Sequence, residues 1–298
     1  MKPILVVLAA GMGSRYGGLK QMDRLGENGE VLLDYSVFDA LRAGFGKIVF
    51  IIRRDIAKDF QATVLDRFKN SFPYEIAYQE LDSRIPSGMT GAVKDRAKPW
   101  GTAHALLCAE GLLDAPFAVI NSDDFYGKEA YIVLGRFLSN AAAEGAIVPY
   151  RLDQTLSPQG SVTRGVCGVK DGYLVSVDEL KDIAAENGKI LYTVDRVKRE
   201  LPADTPVSMN FWGFQPSVLP ELKRYFDDFL TEQGENPKSE CYIPSFVDHL
   251  VQTGTLNVKV LETSTSWFGV TYKEDRAMAV QRIAELTGDG VYPTSLWD

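Results

Sequence analysis

The chain has 298 residues, of which 45% are hydrophobic and 24% charged, with a net charge of -8 and a sequence pI near 5.0. That length and balance suit a soluble globular protein with a large core, and they exclude a general nucleic-acid surface, which needs clustered Lys and Arg. Three isolated cysteines and two distant histidines exclude a disulfide framework and a Cys- or His-rich metal site.

Residues 1–10 carry a short apolar run that leads straight into a glycine turn, Arg15 and Lys20. With no spacer or cleavage segment, residues 4–9 read as a buried strand rather than a leader peptide. No apolar stretch is long enough to span a membrane, so a cytoplasmic protein with no membrane partner is expected. Residues 34–43 read as a helix closed by Gly44 and Gly46, and residues 47–52 as a second buried strand. Residues 56–69 have helical spacing, with Phe60, Val64 and Phe68 on one face. A short strand at 75–79, a Gly- and Pro-rich loop at 80–100, a helix at 102–113 and a buried strand at 117–120 complete the first half.

Continuous apolar strands alternating with helices predict an α/β fold, with a Rossmann-like mixed, mostly parallel sheet flanked by helices. In the second half, strands are expected at 145–150, 164–169, 173–177, 207–215 and 256–261. Helices are expected at 217–232, 243–253 and 273–286, and a loop or hairpin over a site at 182–205. One domain over 1–298 is predicted, with a nucleotide-binding half at 1–150 and an acceptor-binding half at 151–298.

The strongest local signal is the stretch from Leu8 to Gln21, containing Ala9, Ala10, Gly11, Gly13, Arg15 and Lys20. Glycines after a buried strand let backbone N–H groups approach phosphate oxygens, and Arg15 and Lys20 add positive charge beside them. Two competing motifs fail on spacing: the dinucleotide fingerprint needs a third glycine where Tyr16 stands, and the P-loop needs its Gly-Lys-Ser/Thr there. Asp123 and Asp124 follow the strand at 117–120, at the sheet edge where ligands bind, and their oxygens suit Mg²⁺. Trp100-Gly101-Thr102-Ala103-His104-Ala105 opens a helix, with Gly101-Thr102 as a usable cap.

These stretches resemble the sugar nucleotidyltransferase superfamily, in particular the sugar-1-phosphate nucleotidylyltransferases. The resemblance runs along nearly the whole chain and is most specific at residues 8–21 and 117–127. It implies the nucleotidyltransferase fold, an NTP and a phosphorylated small-molecule acceptor as partners, and Mg²⁺ as cofactor. It leaves homo-oligomer formation open and carries no hexapeptide-repeat extension. By resemblance, Gly11, Gly13, Arg15 and Lys20 cradle the triphosphate, with Ala9 and Ala10 beside them, and Gly101 and Thr102 contact the nucleoside. Arg15, Lys20 and Asp123 are the implied catalytic residues. Asp123 best matches the metal-binding Asp, with Asp124 as its neighbour.

On the acceptor side, Glu179 and Lys181 resemble a pair that binds sugar hydroxyls and phosphate, and Asn210 a residue that contacts the sugar. Three departures from the family pattern stand out. A base-reading Gln of uridylyltransferases falls near Arg96, and a Thr-Asp pair near Pro244 and Ser245 is missing its Asp; where relatives carry the second metal ligand, Asn or Asp, this chain has Thr271, so the resemblance implies Thr271 itself, Asp124 or a water in that role. The implied reaction transfers an NMP from an NTP to a sugar 1-phosphate and releases pyrophosphate. The alternatives are a non-sugar phosphorylated acceptor, or a nucleotide or sugar-phosphate sensor without catalysis.

Overall fold

The computed structural model describes residues 1–11, 24–68, 71–93, 96–140, 144–270 and 274–297. The first half alternates strand and helix: β1 (Ile4–Leu8), α1 (Leu32–Arg42), β2 (Lys47–Ile52), α2 (Ala57–Thr63), β3 (Tyr74–Tyr78), α3 (Thr102–Cys108) and β4 (Phe117–Asn121). β1, β2 and β4 are almost entirely buried, which is why they read as unbroken apolar runs. They pair in parallel in the order β3-β2-β1-β4, so their C-terminal ends share one edge of the sheet. The helix expected at 56–69 ends at Thr63 and gives way to a 3-10 turn over Leu65–Phe68, yet Phe60, Val64 and Phe68 are fully buried together.

A two-residue strand β5 (Asp124–Phe125) follows β4, and then helix α4 (Lys128–Asn140), which the sequence reading had not placed. Next come β6 (Gly145–Ile147), β7 (Tyr150–Arg151), β8 (Val162–Lys170), β9 (Tyr173–Glu186), β10 (Lys189–Val194), β11 (Val197–Leu201), β12 (Pro206–Ser208) and β13 (Trp212–Phe214). The chain ends with α5 (Leu219–Gln233), α6 (Ile243–Gln252), β14 (Val258–Val260), β15 (Phe268–Gly269) and α7 (Asp275–Gly288).

The sheet continues from β4 as β13-β6-β14-β9-β8-β12-β7, with β10 and β11 branching from β9, so strands of both halves belong to it. β13 runs antiparallel to β4 and β6, β14 runs parallel to β6, and the β9-β8-β12-β7 part is antiparallel. The predicted strand at 207–215 is two strands. β12 lies beside β8, whereas β13 inserts between β4 and β6. The break falls at Asn210, whose φ of 60° is in the left-handed region that Asn tolerates better than most side chains. β9 runs past the expected end at Val177 to Glu186, bending at Asp182 (φ 56°), and 189–201 forms the hairpin that pairs with it.

The C-terminal segment is clamped to α1. Tyr292 donates to Asp39 at 2.7 Å and Trp297 Nε1 to Asp34 at 3.2 Å, while Arg67 pairs with Asp34 at 2.6 Å and Arg42 pairs with Asp39. Burial raises both carboxyls to about 6, against the pull of Arg67 on Asp34 and Arg42 on Asp39. Tyr35, Phe125, Phe268, Ile283 and Tyr292 share an apolar cluster, which ties α7 to β5 and β15 at the edge where the candidate site lies. No helix among the described residues is long and apolar enough to cross a membrane.

Candidate active site

The parallel strands deliver two sequence signals to one place. Leu8 pairs with Asn121, and the Ser122 N–H donates to Leu8 O at 3.1 Å, so the start of the glycine turn lies beside the aspartate pair. Ala9 and Ala10 are buried, and the Ala9 N–H donates to Ile51 O at 2.9 Å. Gly11 is exposed, and a Cβ there would meet nothing within 4 Å among the described residues. Gly13, Arg15 and Lys20 lie outside the described residues.

Gly101 is a glycine for a backbone reason. Its φ is 100°, and a Cβ would fall 2.4 Å from Cys241 O. It is the residue that precedes α3, but it supplies no side-chain cap. Thr102, expected to help cap its own helix, turns its hydroxyl elsewhere: Oγ1 accepts the N–H of Ile243 at 3.0 Å, at the first residue of α6. Behind it, His104 is buried between Gln79, which donates to Nδ1 at 3.2 Å, and Ser83 O, which accepts from Nε2 at 2.7 Å. Burial holds its pKa down to about 4, so it is a neutral, structural imidazole. Arg96 is a structural cation as well. It stacks on Trp100 at 3.6 Å and donates to the carbonyls of Lys98, Pro99, Asn236 and Ser239.

A cleft of about 650 Å³ brings together Thr102, Asp123, Asp124, Glu179, Lys181 and Asn210 from the sequence-derived set. Its floor follows from sheet register. Ser208, Gly165 and Glu179 stand side by side across β12, β8 and β9, and Gly165 keeps the middle of the row low. A Cβ on Gly165 would press on Val177 at 3.1 Å and Ser208 at 3.4 Å. Glu179 and Lys181 project on the same side of β9, two residues apart, with 3.7 Å between their charged atoms. Tyr242 and Pro244, at the start of α6, complete that wall.

Polar side chains connect the two sides of the cleft. Trp212 Nε1 donates to Asn210 Oδ1 at 3.3 Å, Asn210 Nδ2 to Asn121 Oδ1 at 3.4 Å, and Asn121 Nδ2 to Asp124 Oδ2 at 2.9 Å. Tyr126 braces them: its hydroxyl accepts the Asn121 N–H at 3.0 Å and donates to Met209 O at 2.8 Å. Asp124 is buried, whereas Asp123 is half-buried, and β15 sets Gly269 directly opposite Asp124. That strand carries the segment in which Thr271 was expected as a metal ligand, but Thr271 itself lies outside the described residues.

Sequence reasoning missed Arg164 and Trp267, which also line the cleft. Arg164 stood within a predicted strand, and nothing in its neighbourhood along the chain marks it. Trp267 stands close to Thr271, and only the β15–β5 pairing brings its ring beside Asp124.

No protein-family description matches the chain, and no curated protein does. Solved structures do match. The inositol-1-phosphate CTP transferase from T. maritima aligns with a TM-score of 0.63 over 96% of this chain and 96% of its own, at 14% identity. A protein from Bacillus anthracis assigned as a glucose-1-phosphate thymidylyltransferase, solved with sucrose, aligns with a TM-score of 0.63 over 94% of each chain, at 13% identity. Likeness at this identity concerns the fold. The chain has a sugar-nucleotidyltransferase-like fold.

Proposed function

We propose that this protein is an Mg²⁺-dependent nucleotidyltransferase that transfers an NMP unit from an NTP to a phosphorylated small molecule, with a sugar 1-phosphate as the leading acceptor. The observation that carries this reading is the shared cleft. The carboxylates of Asp123 and Asp124 line it together with Glu179, Lys181 and Asn210, at the sheet edge where the glycine turn begins. A phosphate oxygen of the acceptor attacks the α-phosphorus in line, a new P–O bond forms, and the bond to pyrophosphate breaks. Arg15 and Lys20 neutralise the triphosphate, Gly11 and Gly13 offer backbone N–H groups, and Thr102 lies on the nucleoside side. Glu179 and Asn210 take acceptor hydroxyls, and Lys181 its phosphate.

The donor set fits a hard divalent cation. Among the described residues no group of three or more His, Cys, Asp or Glu could hold a metal, but Mg²⁺ commonly takes one or two carboxylates and completes its shell with water and substrate phosphates. Asp123 and Asp124 would hold it, and it would supply charge neutralisation at the α-phosphate and the leaving pyrophosphate. A phosphorylated polyol is the second reading, favoured by the likeness to a protein whose acceptor is inositol 1-phosphate. A matrix of NTPs against sugar and polyol phosphates, read by pyrophosphate release, tests both. Release dependent on one acceptor class supports the corresponding reading. NTP-independent silence across the matrix, with tight nucleotide binding, would favour a sensor.

A further inference from the structure

Tyr242 is a part of the cleft wall that the proposed chemistry does not use. It lines the cleft with Glu179, Lys181, Gly165 and Pro244, at the residue that precedes α6. The backbone on both sides of it is fixed. Cys241 donates its N–H to Trp100 O at 2.7 Å and accepts that of Ala103 at 3.0 Å, and the Ile243 N–H goes to Thr102 Oγ1 at 3.0 Å. Pro244 stands in the first turn of α6, and Tyr242 O accepts the Phe246 N–H at 3.1 Å. The side chain therefore starts from a seam in which the segment around Gly101 is bonded to the start of α6.

The far end of the side chain is held as well. The Tyr242 hydroxyl donates to the carboxylate of Glu240, which pairs in turn with Lys98 and is only 17% exposed. The polar tip of the ring is thus occupied, while the ring itself is half-buried. Burial and Glu240 push the hydroxyl pKa up, and Glu179 adds to them as a further negative neighbour. Other half-buried tyrosines have a partner on the ring: Arg54 lies over Tyr78, Lys259 over Tyr173, and Phe246 packs against Tyr225. Among the described residues no cation and no second ring covers Tyr242, which has the cleft beside it instead.

We infer that Tyr242 is a specificity-determining residue whose ring carries the C–H face of a cyclic acceptor, a sugar or cyclic polyol phosphate, while Glu179 takes hydroxyls at that acceptor's edge. That a phosphorylated acceptor enters this cleft rests on the function proposed above. A sugar or cyclitol ring has its hydroxyls around the rim and C–H groups on its faces. The face of an aromatic ring is the negative part of its quadrupole and attracts such C–H groups. Two rings already held rigid lose little freedom on contact, whereas an open-chain alcohol phosphate has no face to offer and must give up bond rotations to bind. Tyr242 thereby favours cyclic over open-chain acceptors.

The test reads binding, not turnover. The full-length protein is titrated with glucose 1-phosphate, inositol 1-phosphate and glycerol 3-phosphate, and saturation-transfer NMR follows magnetisation passing from aromatic protein protons to the ligand. At least one cyclic phosphate should bind more tightly than glycerol 3-phosphate and receive saturation on its ring C–H protons. Tyr242→Leu, which keeps apolar bulk without the π-face, should weaken that binding about tenfold and reduce the transfer. Tyr242→Phe, which keeps the ring and loses the bond to Glu240, should retain both, a rescue that a purely structural role for the hydroxyl would not give. Unfolding midpoints show whether each variant is folded. Equal binding of glycerol 3-phosphate and the cyclic phosphates, unchanged binding by Tyr242→Leu, or binding of none of the three overturns the assignment. Failure of the reaction is read separately: a cyclic phosphate held on Tyr242 without pyrophosphate release would sink the transferase reading and leave the platform standing, and release with an acceptor that Tyr242→Leu binds as well as wild type would do the reverse.

Discussion

Asn121 donates from Nδ2 to Asp124 Oδ2 at 2.9 Å, and its own Oδ1 takes the Asn210 amide at 3.4 Å. One side chain thus connects a carboxylate proposed to hold Mg²⁺ with a residue proposed to hold the acceptor. Partners of this kind orient metal ligands, and losing one typically costs about 10–100-fold in metal affinity or activity. Asn121→Ala is expected to lower turnover by about that factor and to raise the Mg²⁺ concentration needed for half-maximal rate. A rate loss with an unchanged Mg²⁺ requirement would assign Asn121 a purely structural role.

The acceptor side makes a separate prediction. Glu179→Ala and Asn210→Gly should raise the acceptor KM by the equivalent of about 1–3 kcal/mol each, with the KM for NTP unchanged. Glycine is the better test at Asn210, because its φ of 60° would strain an alanine. If either variant keeps the wild-type acceptor KM, its residue does not contact the acceptor.

His104 is expected to titrate far below an ordinary histidine, near pH 4. Its ring nitrogens should report a neutral Nε2–H tautomer at pH 5.5, with Ser83 O as the acceptor. Because the unfolded chain binds this proton near pH 6.5 and the folded protein near 4, the His104 share of stability is lost as pH falls through that window, by about 3 kcal/mol. The raised carboxyls of Asp34 and Asp39 act in the opposite sense, losing stability as pH rises from about 4 to 6. The His104 share is therefore read as the difference between wild type and His104→Gln. A ring titration close to pH 6.5 contradicts the buried, neutral assignment.

Asp39→Ala should destabilise the fold by about 3–5 kcal/mol, since it strips Arg42 of its carboxylate and Tyr292 of its acceptor. Urea unfolding measures the loss. A change below about 1 kcal/mol would mean that the C-terminal segment is held without this clamp.

Much of the parallel half was legible because its strands are buried on both faces. Residues 47–52 read as a strand and form one over the same span. α4 escaped because Ile132, Val133 and Gly135 weaken its helical signal, although Gly135 is where the helix packs closely on Ala43 and Phe45. The charged run Asp178-Glu179-Leu180-Lys181 looked like the end of a strand, yet these residues continue β9 along the cleft. The apolar run over 207–214 hid a change of strand position, and its visible cue was one Asn in a run where a left-handed turn was needed. Asp123, Asp124 and Asn210 stand out in their local sequence and line the cleft. Arg164, Trp267 and the Asn121 bridge do not stand out in this way, because pairing of β8, β12 and β15 with distant strands creates their neighbourhood.

The central claim is that Asp123 serves nucleotidyl transfer in this cleft, and ³¹P NMR of the complete reaction tests it most directly. Wild-type protein, Mg²⁺, an NTP and a phosphorylated acceptor should yield pyrophosphate together with the coupled resonances of a new diphosphate linkage. Asp123→Ala should yield neither while keeping the wild-type unfolding midpoint, because the side chain is half-buried at a strand end rather than in the core. No diphosphate-linked product from any NTP and acceptor in the matrix, or the same product at a near-normal rate from Asp123→Ala, would contradict the account.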